Sequence, residues 1–167
     1  MNKVFLSLGS NIGSRLDNLT KAVGMIEGLE NTVIDLESSI YETAPLYNCD
    51  QNHFFNKVVQ IKTSLNPYKL LKEMKSIEVS MGRNIKNSHN KPRIIDIDIL
   101  AFDSMNIESD DLVLPHPRIL ERRFVLEPWN EITPEYILYG QDLSIKELHN
   151  RYLVNNLKKQ KVNIIKN

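Results

Sequence analysis

Pro92-Arg93-Ile94-Ile95-Asp96-Ile97-Asp98-Ile99-Leu100 is the stretch that decides the fold. Isoleucines at 95, 97 and 99 alternate with two aspartates, the period-two pattern of a strand with one buried face. Residues i and i+2 of a strand share a face. Asp96 and Asp98 therefore point the same way, about 6–7 Å apart by strand rise, while the isoleucines point into a core. This strand is expected over Ile94–Phe102.

Working outward, Pro67 opens a helix whose apolar stripe is Leu70, Leu71, Met74, Ile77 and Met81, with Gly82 as its stop. Before it, Phe54–Thr63 alternates around Val58, Val59 and Ile61 as a strand, and Thr32–Tyr41 reads as another. Val4–Leu8 is a first strand, closed by Gly9-Ser-Asn-Ile-Gly13, and Ser14 is placed to cap a helix from Arg15 to about Leu29. Beyond the aspartates come a minor hairpin near Glu108–Asp111 and the rigid turn Leu114-Pro-His-Pro117. A helix over Arg122–Ile132 and a last helix from Ile145 to about Leu157 follow. The order strand, helix, two strands, helix, strand is the split βαβ pattern of a ferredoxin-like α+β fold. The expectation is an α/β sandwich with an antiparallel sheet and helices packed on it. Residues 1–167 read as one domain, with 158–167 as a basic, mobile tail.

Composition narrows the class. Lysine plus arginine equal aspartate plus glutamate at 21 each, which gives no reason for a nucleic-acid or membrane partner. The one cysteine, Cys49, cannot form an internal disulfide and suits a reducing cytoplasm. No apolar run is long enough to span a bilayer. The expected form is a cytoplasmic monomer acting on small molecules.

The chemistry gathers around the aspartates. Like charges side by side on a sheet repel, and a bound cation would remove that cost. Carboxylate oxygens without histidine or cysteine nearby favour Mg²⁺ over zinc. On this motif alone, an ordinary strand with a wet acidic face is an equal reading. Residues 83–93 carry Arg83, Lys86, Lys91 and Arg93 and no acid. Cations beside paired carboxylates suit a polyphosphate carried with Mg²⁺. No P-loop or dinucleotide fingerprint is present. Thr43-Ala44-Pro45-Leu46 with Phe54 and Asn56 offers an aromatic face, main-chain groups and an amide for a flat heterocycle. A surface turn before an aromatic core residue is the plainer alternative. His116, ahead of Arg118, Arg122 and Arg123, could hold phosphate or ribose, or could simply be a turn histidine.

Leu8-Gly-Ser-Asn-Ile-Gly13, Tyr41-Glu-Thr-Ala-Pro-Leu46, Phe54-Phe-Asn56, Ile77-Glu78, Gly82-Arg83, the 92–100 strand, Leu114-Pro-His-Pro-Arg118, Arg122 and Phe124 recur in this order. Together they resemble the 6-hydroxymethyl-7,8-dihydropterin pyrophosphokinases of folate synthesis, from Val4 to about Pro134. The resemblance implies ATP as co-substrate, two Mg²⁺ ions on Asp96 and Asp98, and AMP as a product. It assigns Arg83 and Arg93 to the triphosphate as catalytic arginines. It assigns Lys75, Glu78, Lys86, Ile99, His116 and Arg122 to ATP. Phe54 and Phe124 would sandwich the pterin, with Asn56 and Thr43, Ala44, Pro45 and Leu46 reading its edge. The chain departs from the family where Ile85 replaces a second arginine and Asn90-Lys91 replace Trp-Gly. Pro117 stands at a position that is often aromatic or proline in the family, so an aromatic stack on adenine does not follow from the resemblance. A weakened nucleotide- or pterin-binding regulator is the alternative reading. An RNA-binding sheet is disfavoured, because aspartates occupy the strand that RNA would approach.

Overall fold

The computed structural model describes residues 1–45, 51–83, 91–156 and 160–165. In chain order the elements are β1 (Asn2–Ser10), α1 (Arg15–Glu27), β2 (Thr32–Glu37), β3 (Ile40–Thr43), β4 (Phe54–Thr63), α2 (Pro67–Ser80) and β5 (Asp96–Phe102). There follow β6 (Ile107–Glu108), β7 (Val113–Leu114), a 3-10 turn at Ile119–Glu121, α3 (Arg123–Ile132), α4 (Ile145–Asn156) and β8 (Val162–Ile165). The main sheet runs β5-β1-β4-β3-β8 with β2 also on β4, and every pairing is antiparallel. The two inner strands β1 and β4, flanked by β5 and by β2/β3, give the α+β, ferredoxin-like order expected of a split βαβ chain.

Both sheet faces are covered. Val4, Leu6 and Leu8 of β1 pack with Leu19, Leu70, Met74 and Ile77 of α1 and α2, and Ile97 and Ile99 of β5 join them. Phe5 turns the other way, onto Trp129 of α3 with Ile145 and Leu148 of α4. A strand covered on both faces must be apolar on both, and Val4–Leu8 is buried throughout. Pro67 enters α2 behind Asn66, whose Oδ1 accepts from Lys69 N at 2.9 Å. Gly82, at φ +100°, ends the segment in a conformation that favours glycine.

Pairing shifts register between Phe5 and Leu6, so that Phe5 faces Ala101 and Leu6 faces Ile99. Leu100 is left as the extra residue, and Leu100 and Ala101 both enter the α3–α4 core. This bulge ends the strict alternation just past Asp98, as bulges beside functional sites commonly do.

Two expectations change. The single strand expected over Thr32–Tyr41 is two, β2 and β3, separated at Ser38-Ser39. Ser38 keeps the break in the sheet: its N–H donates to Val58 O at 2.9 Å and its Oγ accepts from Val58 N at 3.0 Å. The tail expected to be mobile contains β8, which pairs Ile40–Thr43 with Val162–Ile165. An open strand edge invites pairing, and Val162, Ile164 and Ile165 suit a strand. The minor hairpin is present as β6 and β7, a little wider than expected. Trp129 is a core residue with no exposure, in ring contact with Phe5 and Tyr136.

Candidate active site

Cross-strand register brings the sequence-predicted residues onto one face. Asp96 lies opposite Gly9, Gly9 opposite Asn56, and Asn56 opposite Tyr41, one row across four strands. Asp98 lies opposite Ser7, and Ser7 opposite Val58. Directly opposed residues share a face, here the face covered by α3 and α4. Thr43 and Phe54 are also paired and extend the row toward the end of β3. Asn56 is buried, and its Nδ2 donates to Thr43 Oγ1 at 2.7 Å. That bond fixes the amide so that its Oδ1 faces Gly9, where an added Cβ would sit 3.1 Å away. Glycine at position 9 keeps open the gap between the amide and the Asp96 carboxylate. Nothing in its residue type marks Gly9 for this role, although it stands inside the Leu8–Gly13 turn.

Cations enclose the carboxylates. Arg83, just past α2, and Arg93, just before β5, both donate to Asp96. Arg122, at the N-cap of α3, donates to Asp98 Oδ2 at 2.9 Å. Burial pushes the Asp96 carboxyl up, but Arg93 and Arg83 outweigh burial and hold it below the usual carboxylate range. With Lys75 and Glu78 included, four cations surround three carboxylates.

Glu78 is fully buried. Its Oε1 accepts from Ile97 N at 2.7 Å and from Arg83, and its Oε2 accepts from Lys75 at 3.1 Å. Burial pushes its carboxyl up, against the pull of Lys75, the Ile97 N–H and Arg83. Glu78 thus satisfies a backbone donor of the edge strand β5 and steadies Arg83. Ile99 is not brought to the face. Its side chain packs with α1 and α2, so a nucleotide could use only its main chain.

His116 sits after the cis Leu114–Pro115 bond, its N–H donating to Leu100 O at 2.8 Å. Its Nδ1 accepts from Arg118 N at 3.1 Å, so the neutral ring carries its proton on Nε2, which lies 3.9 Å from Asp98 Oδ2. Burial holds this imidazole below its ordinary value, although Asp98 pulls the other way. Phe124, in the first turn of α3, is half-buried beside Arg122, whose guanidinium is 5.6 Å from the ring centre. Ala44 and Pro45 follow β3, half-buried. Leu46 and Lys86 lie outside the described residues.

Among the described residues no three His, Cys, Asp or Glu side chains converge as a complete metal cage. Two hard carboxylates on one face are the protein share of a site for a small divalent ion that takes its remaining ligands from phosphate and water. Next to them are guanidiniums that can turn to phosphate oxygens and, along the same face, an anchored amide and aromatics suited to a flat ring.

A family model described as 7,8-dihydro-6-hydroxymethylpterin-pyrophosphokinase matches residues 5–134. The 2-amino-4-hydroxy-6-hydroxymethyldihydropteridine pyrophosphokinase of Bacillus subtilis is 45% identical over 131 residues, 78% of this chain and 78% of that protein. The protein of the same name from Methylorubrum extorquens is 38% identical, over 84% of this chain and 89% of that one. The Folic acid synthesis protein FOL1 of Dictyostelium discoideum is 40% identical over 81% of this chain, which spans only 20% of that longer protein. A crystal structure of wild-type Plasmodium falciparum HPPK-DHPS with pterin and p-hydroxybenzoate has a TM-score of 0.74 at 20% identity. It covers 96% of this chain and 44% of that one, and at that identity it speaks for the fold.

Proposed function

We infer, from the membership of this chain in the 7,8-dihydro-6-hydroxymethylpterin-pyrophosphokinase family, that it transfers pyrophosphate from ATP to the hydroxymethyl group of 6-hydroxymethyl-7,8-dihydropterin. AMP and the pterin diphosphate leave, a step of folate biosynthesis. The observation that carries this reading is the single sheet face holding Asp96, Asp98 and their guanidiniums at one end and the Thr43–Asn56 amide with Phe54 at the other.

Asp96 and Asp98 would hold the Mg²⁺ that accompanies ATP, two ions by family expectation. When bound, Mg²⁺ offsets phosphate charge and lowers the pKa of a coordinated hydroxyl. The chain's own residues do the rest. Phe54 and Phe124 hold the pterin ring, and Asn56 with Thr43, Ala44, Pro45 and Leu46 reads its polar edge. Arg83, Arg93, Arg122 and Lys75 supply the positive charge that meets the triphosphate, with Lys86 and His116 as further contacts. The hydroxymethyl oxygen attacks the β-phosphorus in line. The new O–P bond forms as the bridge between α- and β-phosphorus breaks, and AMP departs with the electron pair. One of the two aspartates takes the hydroxyl proton. Guanidiniums stabilise charge on the transferring group, the larger share of catalysis in phosphoryl transfer. Glu78 contributes by holding Arg83 and β5.

A cytoplasmic monomer is the form in which we propose the chain works. No described helix is long and apolar enough to cross a membrane. The test is AMP release from ATP by the purified chain, with and without the pterin, in Mg²⁺ and then in EDTA. Pterin-dependent, EDTA-sensitive AMP is expected. ATP binding with no AMP, under conditions where the Bacillus subtilis relative turns over, would refute the activity.

A further inference from the structure

The turn after β1 contains a buried amide that joins the two halves of the site. Asn11 is 1% exposed. Its Nδ2 donates to Gln51 Oε1 at 3.1 Å and to Asn52 O at 3.3 Å. Its Oδ1 accepts from Arg93 N at 2.7 Å, and its own N–H donates to Arg93 O at 3.1 Å. The segment on one side, residues 51–53, runs directly into Phe54 and β4. The residue on the other side, Arg93, lays its guanidinium on Asp96. One side chain therefore links the approach to the proposed ring platform with the arginine at the carboxylates.

We propose that Asn11 is a positioning residue that couples the binding of the two substrates, resting on the ATP-and-pterin reading above. A ligand that fixes residues 51–53 fixes the Asn11 amide, and the amide then fixes the main chain of Arg93. The second ligand finds its arm already placed and binds tighter by the ordering no longer needed. Such coupling is reciprocal between ligands. The residue type follows from the geometry. The task needs a donor pair on one side and an acceptor on the other, within one short side chain. Aspartate keeps the acceptor but presents a second oxygen to Gln51 Oε1 and Asn52 O. Alanine has neither group.

The measurement is the dissociation constant of the pterin for the full chain in Mg²⁺, with and without a non-hydrolysable ATP analogue. The ratio of the two is the coupling factor. Asn11→Asp and Asn11→Ala are compared with Gln51→Ala. Gln51 lines an open polar cavity of about 430 Å³ with Arg15, Glu42 and His53, so its truncation leaves no enclosed void. That variant keeps the test decisive if a change at Asn11 prevents folding. Removing one or two such hydrogen bonds corresponds to a fall in the ratio of about tenfold for the Asn11 variants and about threefold for Gln51→Ala. The same loss must appear when the analogue is titrated with and without pterin. A wild-type ratio of one, or folded variants that keep the wild-type ratio, overturns the proposal. A wild-type chain that binds no pterin at all would instead sink the functional reading beneath it.

Discussion

Gly9→Ala separates the role of the sheet as scaffold from its role as site. The added Cβ would lie 3.1 Å from Asn56 Oδ1 and 3.8 Å from Phe54 Cδ1. The second contact is ordinary, and the first is closer than a methyl carbon and an amide oxygen tolerate. Gly9 does not occupy the left-handed region, so alanine meets no backbone penalty and recovers up to about 0.5–1 kcal/mol of strand entropy. The amide must yield by a few tenths of an ångström. Because Asn56 is buried and tied to Thr43 Oγ1 at 2.7 Å, it can yield only by stretching that bond or tilting away from the ring edge it is proposed to read. Loss of one well-formed hydrogen bond costs about 1–1.5 kcal/mol, or roughly tenfold in affinity. The expected result is a KM for the pterin raised about tenfold and a KM for ATP changed less than twofold. Unfolding free energy should stay within about 1 kcal/mol of wild type. Steady-state AMP release and urea denaturation measure all three. Gly24→Ala is the control. Its Cβ meets nothing within 4 Å on an exposed helix position, so it should add about 0.5–1 kcal/mol of stability and leave both KM values alone. An unchanged pterin KM in Gly9→Ala would refute the assignment of Asn56 to the ring edge. A matching rise in the KM for ATP would show general distortion instead.

Other perturbations test separate parts of the molecule. Asp96→Asn keeps the shape and removes the charge that Arg83 and Arg93 share. It should lower kcat by at least about 10²-fold with the fold retained by circular dichroism and some stability lost with the Arg83 and Arg93 pairing, and activity within tenfold of wild type would count against the metal assignment. Truncation before Gln160 removes β8 and the bonds from Phe124 N to Gln160 Oε1 at 3.3 Å and from Arg123 to Gln160 O at 3.2 Å. A fall of several degrees in melting temperature, with weaker pterin binding, is expected by calorimetry, whereas an unaltered melting curve would mean β8 contributes nothing. Glu127 is held below the usual carboxylate range by the hydrogen bond from His149, against burial, and then by Arg123. A depressed carboxylate lends stability above its unfolded value of about 4.3 and loses it as pH falls through the folded value. Glu127→Gln should therefore be less stable than wild type near pH 7, by about 1 kcal/mol in urea, with the gap closing at acid pH.

How much of this could be read from the sequence depended on where each signal lives. Asp96 and Asp98 broke a local rule, charge inside a strand, and a broken rule with no local compensation marks a site. Their face, and the burial of Ile95, Ile97 and Ile99 behind them, followed from period two alone. The helices at Arg15, Pro67, Arg123 and Ile145 were legible from apolar spacing and, for the second, from proline and glycine at its ends. The break between β2 and β3 was not. Serine is at home in a strand, and only the partner β4, reached across 20 residues, shows that Ser38 stands in for the ladder. β8 was illegible for a related reason, since four residues among lysines bury too little by themselves to predict a strand.

The site shows the same division between type and placement. Residue type revealed which groups could touch phosphate or a ring, but not which of them face the ligand. The family resemblance groups Glu78 and Ile99 with the nucleotide contacts, yet both side chains turn inward, one to hold β5 and the other to fill the core. Gly9 and Asn11 carried no role because a glycine and a buried amide have no charge or aromaticity to announce one. Their importance is positional. One leaves room, and the other spans from residues 51–52 to Arg93. In a polyphosphate enzyme the reacting charges come largely with the substrates, and positioning is most of what the protein adds. The residues that set distances between the two substrates should then show in substrate affinity and in the coupling between the two sites, a smaller effect than the loss of an aspartate but one that a neutral turn beside β1 can carry.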